Sequence, residues 1–514
     1  MKFTCLAAVA LVGSVYGDPS KPAKGKPSGP DCCRRLSSVV PTIYYPPTSP
    51  RYNDLINNRW SGNSILHPSC VVAPKSAQDV SKALRLLSKY QCRFAVKGGG
   101  HNPNPGANSI DNGVSIDLGG LDSTVLASDG SHVSLGAGGS WGHAYDAFNG
   151  SDIGFPGALC RDVSVGAVAL GGGSSIFQAR KGWVVDQILN YEVVLSSGRI
   201  VNANGSHNAD LFRALKGGFT NLAIVTKIDL AAFKFGTFWD SEVVLSLNGP
   251  QANKSTMLDI ISKTAVDFTA NNAKDTANGL HVAVTSVAKN KTDLAILAIT
   301  NTDNKANPPA AKPIRSVPNQ RANVERHGKI SGYVKAISGF QPKGFRQVTA
   351  SITIKNDYQT LREIWDASDA VYKATPQNDK IAWIVELYPQ PAIMQSHAST
   401  RGGNMLGLSQ TPHDRIVIWL SSRWKDASLD EMMQKASREF TEAVEAVARK
   451  HGTLDPFVYV NFAGSFQSPL CGYGPDNVAH LRRMAAKYDP RGVFQRLMSG
   501  GFKLREARCR EGYQ

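Results

Sequence analysis

Residues 95–118 read AVKGGGHNPNPGANSIDNGVSIDL. An apolar strand runs into three glycines and a histidine, crosses a Pro/Asn/Gly-rich turn and returns as a second apolar strand. Nothing between Lys97 and His101 carries a side chain that can pack, so the segment folds as strand, loop and strand with its main chain bare. Glycine permits positive φ, and exposed N–H groups in such a loop can surround an anion. Three ligand readings compete with a plain tight turn. A metal site lacks further ligands at suitable spacing. A Walker-type phosphate loop lacks its Gly-Lys-Ser/Thr ending. A non-helical pyrophosphate cradle needs only what is present, with His101 placed to hold or attack whatever is bound.

The rest of the chain bounds the class. Its 514 residues exceed one core, so two or three domains are expected. Residues 1–17, MKFTCLAAVALVGSVYG, have the charged start, short apolar run and small-residue cleavage site of a secretory signal peptide. A membrane span needs ~20 apolar residues, which no segment offers. Seven cysteines remain after that leader, an odd number for an oxidising compartment. Those at 32, 33, 70 and 92 are expected to form local disulfides, in a pairing the sequence leaves open. At least one thiol must be free or bonded to something other than cysteine. Sequons at Asn149, Asn204, Asn253 and Asn290 fit secretion. The net charge of +16 is spread along the chain with no nucleic-acid motif. It reads as a solvated basic surface that favours an anionic cofactor or substrate.

Residues 18–31 are Pro/Gly/Lys-rich and predicted to be disordered. From about residue 66, strand-like and helical pieces alternate. Ser76 is placed to cap a helix over AQDVSKALRLLSK, and NYEVVLSSGRIVNA reads as a hairpin turning at Ser-Gly. GAGGSWG, 136–142, approaches the dinucleotide fingerprint, but no βαβ unit with an acidic residue follows, so it is read as a strand-to-helix turn. Beyond residue 236, long strand candidates alternate with helices around QTLREIWDASDAVYKA and LDEMMQKASREFTEAVEAVARKHG. They suggest an antiparallel sheet backed by helices, interrupted by a Pro-rich connector at 307–320.

Several motifs recur in one order: K-G-G-G-H, then C-x-x-V-x-V-G ahead of L-G-G-G, N-Y-E-V-V-L-x-S-G and A-L-K-G-G-x-x-N-L-A-I-V-T. The chain closes with Y-V-N-F, Y-G-x-x-N-V and Y-D-P-x-G-V-F. The sequence resembles the berberine-bridge-enzyme-like branch of the FAD-linked oxidases, within the vanillyl-alcohol oxidase superfamily with its PCMH-type FAD-binding domain, and its secreted fungal members in particular. The resemblance covers roughly residues 60–235 and 455–505. It implies FAD between the N- and C-terminal parts, with the pyrophosphate on loop 97–101. His101 matches the histidine bonded to the flavin 8α-methyl, and Cys160 the cysteine that in some members adds a bond at C6. Val163 matches a gate position where a small residue goes with O2 reactivity. Lys97, Gly98, Gly99, Gly100, Asn102, Gly166, Ile224 and Asn461 complete the expected cofactor set. There are departures: Ser164, Ala167 and Ala223 stand where the family often has glycine. The positions facing the substrate hold Ser174, Val417, Trp419 and Phe462, and the tyrosine expected after Asn461 is absent. Tyr459, two residues earlier in what reads as a strand, is the candidate base or orienter, with Glu386 and Tyr388 as others.

The expectation is a soluble, secreted α+β protein, monomeric, with no nucleic-acid, membrane or metal partner. Its segments would be a lead-in at 18–60, an FAD-binding domain at 61–235, an antiparallel substrate domain at 236–454 and a C-terminal segment at 455–514 completing the flavin site. The activity implied is hydride transfer from a small molecule of secondary metabolism to covalent FAD, with O2 as acceptor and H2O2 as product. The alternatives are a carbohydrate C1 oxidase and a flavin-binding protein without turnover.

Overall fold

The computed structural model describes residues 27–248, 253–287, 292–507 and 509. The leader, most of the basic tail and the Asn290 sequon lie outside the described residues. The described residues open on a helix, Gly29–Val39, where disorder was expected to reach residue 31. Ser28 caps it by accepting from the Asp31 N–H, Pro30 fits its first turn, and two disulfides, Cys32–Cys92 and Cys33–Cys70, staple it to the body. Each bridge restricts the unfolded chain enough to contribute roughly 4 kcal/mol. A third, Cys471–Cys509, ties down the C-terminal tail.

The N-terminal half holds two sheets. One has the order Tyr44–Tyr45, Cys70–Val72, Val114–Asp117, Phe94–Lys97, the last three parallel. The helix Ala77–Lys89, capped by Ser76, turns Val80, Ala83, Leu84 and Leu87 inward at helical spacing to join this core. The other sheet is antiparallel, ordered Thr124–Leu126, His132–Gly136, Ile224–Ala231, Ile188–Val194, Ile200–Asn204. It contains the expected hairpin, and 136–142 is a turn from strand His132–Gly136 into helix Trp141–Ala147. The C-terminal segment comes back to the first sheet: the Phe94 N–H donates to Leu497 O, and the Ser499 N–H to Phe94 O. Residues 497–499 thus lie against the strand that leads into the glycine loop.

The second half builds an eight-stranded antiparallel sheet. Its order is Gln320–Gly328, Phe238–Ser246, Thr292–Asn301, Asn278–Val287, Trp383–Gln390, Arg415–Leu420, Ala350–Lys355, Leu454–Asp455. Strand Asn278–Val287 alternates strictly. Leu280, Val282 and Val284 join the core built with helices Lys254–Asn271, Tyr358–Ala374 and Asp430–Lys450. His281, Ala283 and Thr285 face the other way, into a cavity. The edge strand Gln320–Gly328 escapes a reading by hydrophobic pattern because it is mostly polar and exposed. It is held by main-chain pairing to Phe238–Ser246 and by Arg326 on Asp240.

Candidate active site

The loop after strand Phe94–Lys97 closes on residues 162–164. A Cβ on Gly98 would collide with Ser164 Oγ, and one on Gly99 would meet the Asp162 carbonyl and Ser164 N at 2.8 Å. Gly100 has φ of +72° and sits over the side chains of Arg59 and Lys97. The bareness read in the sequence therefore serves loop-to-loop contact as well as any ligand. Every predicted cofactor residue except Lys97 lines a cavity of about 380 Å3, and so does Tyr459. Lys97 turns beneath the loop instead. Its amine lies 2.9 Å from Asp117 Oδ2, with both side chains 3% exposed.

His101 stacks on Trp60, with ring centroids 4.5 Å apart and planes at 8°. Its Nε2 stands 3.5 Å from Cys160 Sγ, so the fold joins residues 59 positions apart. Burial pulls the imidazole down to about 4, against the attraction of Asp162. Burial also pushes the Cys160 thiol up to about 11. At neutral pH the pair is an uncharged imidazole beside an uncharged thiol, not an ion pair. Cys160 is the free cysteine among the described residues.

The cavity wall suits an anionic dinucleotide. Ser164 Oγ, Thr220 Oγ1 and Asn108 Oδ1 are buried, line the cavity and have no partner among the described residues. The N–H groups of Gly99 and Gly100 donate to no main-chain carbonyl among them either. Buried polar groups are ordinarily paired, so this set is arranged for hydrogen bonds to something bound. Phosphate and ribose oxygens and a flavin ring edge have the chemistry to fill it.

Across the cavity the eight-stranded sheet contributes a carboxylate. Glu386 is 3% exposed. Its Oε1 accepts from Ser421 Oγ at 2.5 Å and from Gln341 Nε2 at 3.3 Å. Its Oε2 accepts from the Tyr388 hydroxyl at 3.2 Å and lies 2.8 Å from His281 Nε2. Burial and the adjacent Glu386 charge hold the Tyr388 phenol well above its ordinary range. Trp419 stacks on Phe462 at 4.2 Å and 10°, its indole N–H donating to Thr349, and so forms an apolar wall. Ser174 lines the same space, its hydroxyl donating to Gln178. Val417 is fully buried in the core.

Tyr459 and Asn461 do not share a strand face as expected. Residues 459–462 form a turn closed by the Phe462 N–H on Tyr459 O. The turn nevertheless joins them: the Tyr459 hydroxyl accepts from Asn461 Nδ2 at 3.1 Å and from the Gly173 N–H at 3.0 Å. Burial raises this phenol too. The sequence reading missed His281, Gln341 and Ser421. Only the alternation of HVAVTSVA, with a lone histidine on the small-residue face, pointed to the first. Gln341 lies in a turn and Ser421 follows a strand end, with no pattern to mark them.

Residues 68–204 match the known FAD binding domain. The chain is 30% identical over 483 residues, 93% of its length and 98% of the relative's, to the FAD-dependent monooxygenase sdcF of Emericella nidulans. It is 29% identical over 461 residues, 86% of the chain and 98% of the relative, to the FAD-dependent monooxygenase CTB5 of Cercospora nicotianae. Among solved structures it is similar to 6-hydroxy-D-nicotine oxidase of Arthrobacter nicotinovorans, with a TM-score of 0.72, 17% identity, and 88% and 96% of the two chains covered. It is also similar to glucooligosaccharide oxidase of Acremonium strictum, with a TM-score of 0.70, 17% identity, and 92% and 98% covered. At such identity these structures speak for the fold. The near full-length relatives say more: the chain belongs to the FAD-binding oxidoreductase family of these fungal enzymes, as its berberine-bridge-like motifs implied, and its cofactor is FAD.

Proposed function

We propose that the protein is a secreted oxidase that takes a hydride from a hydroxylated small molecule onto covalently held FAD and passes the electrons to O2, giving H2O2. The carrying observation is the His101–Cys160 pair at 3.5 Å on the cavity wall, with the Tyr388–Glu386 pair lining the same cavity. The glucooligosaccharide oxidase structure is described as carrying 6-S-cysteinyl, 8α-N1-histidyl FAD, and this chain has both residue types together. Three disulfides support secretion.

Bound FAD would supply the two-electron acceptor. The chain's own groups hold and orient. His101 and Cys160 anchor the ring system, and the loop 98–100 with Ser164 and Thr220 binds the phosphates and sugars. Tyr388 takes the proton of the substrate hydroxyl as its own passes to Glu386 Oε2, so no phenolate is exposed to water. Ser421, Gln341 and His281 keep that carboxylate in place. Tyr459, both of whose lone pairs are engaged, offers only its O–H and serves to orient. Val163 keeps the approach open to O2.

Two measurements test this. Acid-precipitated protein should retain its yellow colour, and flavin released wholly into the supernatant would refute covalent attachment. Chemically reduced holoprotein mixed with O2 should release one H2O2 per flavin. The relatives' designation as monooxygenases favours a second reading, in which one oxygen atom enters the product. Incorporation of label from 18O2 would select it.

A further inference from the structure

Resting on that reading, we infer that the substrate is a flat, elongated molecule of three or more fused rings, lying across the sheet with a hydrogen-bond donor at its distal end. The cavity runs on well past the catalytic groups. At one level of the sheet Trp419 pairs with Glu386, Glu386 with Ala283, and Ala283 with Ile296. At the next level His281 pairs with Ala298, and Ala298 with Glu242. All of these line the cavity, so its floor crosses five adjacent strands. Neighbouring strands lie about 4.8 Å apart, so four steps from Trp419 to Glu242 give a floor of roughly 19 Å.

The side chains along it are graded. The near end carries Trp419 stacked on Phe462, with Tyr388 beside them. The middle is Ala283 and Ala298, whose methyl groups leave a low, level surface. The far end carries Glu242, whose carboxylate is only loosely held by Arg326 at 3.5 Å, Arg326 being committed to Asp240. Above the floor, Tyr333 and Ile337 of helix Ile330–Ile337 and the following Phe340 also line the space. A single ring bound at Tyr388 would leave the alanine floor and Glu242 unused. A planar polycycle would cover both and place a hydroxyl at the distal carboxylate. A sugar chain would find few hydrogen-bonding partners over alanine and isoleucine.

The test uses the purified holoprotein and two probes, 1,8-dihydroxyanthraquinone with three fused rings and phenol with one, titrated against the absorbance of the bound flavin. The wild type should bind the three-ring probe at least tenfold more tightly than phenol. Ala298→Trp should raise the Kd of the three-ring probe at least tenfold while phenol shifts less than twofold. If that variant does not fold, Ala283→Leu fills the same floor and should act in the same direction. Glu242→Gln should weaken the three-ring probe threefold or more. Equal affinity for the two probes in the wild type, or an unchanged three-ring Kd in the filled variants, overturns the inference. Wild-type protein purified without flavin would instead overturn the function it rests on.

Discussion

Cys160 offers the sharpest check on how the flavin site is built. Six of the seven cysteines outside the leader are paired, so alkylation reports on one thiol. Burial moves that thiol from 9.0 to about 11, and the neighbouring imidazole, pulled down to about 4, is uncharged at neutral pH and does not stabilise the thiolate. The thiolate is the reactive form, so at pH 8 its population should be about 100-fold below that of an ordinary thiol. The assay is iodoacetamide labelling of flavin-free His101→Ala protein, followed by intact mass. Labelling should be about two decades slower than for a model peptide thiol, rising tenfold per pH unit up to pH 10 while the peptide levels off near pH 9. His101→Ala protein whose flavin survives acid precipitation should not label, because the sulfur is then bonded. Labelling at the peptide rate would refute the reasoning, since it would mean that Cys160 is open to solvent rather than buried.

Tyr388→Phe and Glu386→Gln should each lower kcat by about 10²–10⁴-fold with flavin content unchanged, the range for loss of a positioned base; turnover near wild type would return the role to Tyr459. Asp117→Asn leaves the Lys97 charge buried without its partner and should cost about 3–5 kcal/mol of stability, read from denaturant unfolding. Val163→Leu should slow reoxidation of reduced holoprotein by O2, and an unchanged rate would place the gate elsewhere. His101 titrates at about 4 in the folded apoprotein and near 6.5 unfolded. Between those values the unfolded chain binds the extra proton, so stability falls as pH drops from 6.5 towards 4. His101→Ala apoprotein should lose less of its stability over that window, measured as Tm against pH.

What the sequence determined by itself was local or compositional. Glycines at 98–100 between apolar strands, Ser76 ahead of an amphipathic run and Ser-Gly between two β-rich stretches each fix a structure through neighbours in the chain, and each appears where expected. The odd cysteine was countable, and ordered motifs carried the FAD assignment. Meetings across long separations came from the packed fold alone. Cys160 lies against His101, Glu386 gathers His281, Gln341 and Ser421, and a Pro-rich connector leads into a polar edge strand. Such contacts depend on sheet order and register, which side-chain periodicity does not encode: alternation tells which residues share a face, not which strand lies beside it. The same limit hid the second use of the glycines. Their lack of side chains was visible, but the loop 162–164 pressed against them comes from another part of the fold.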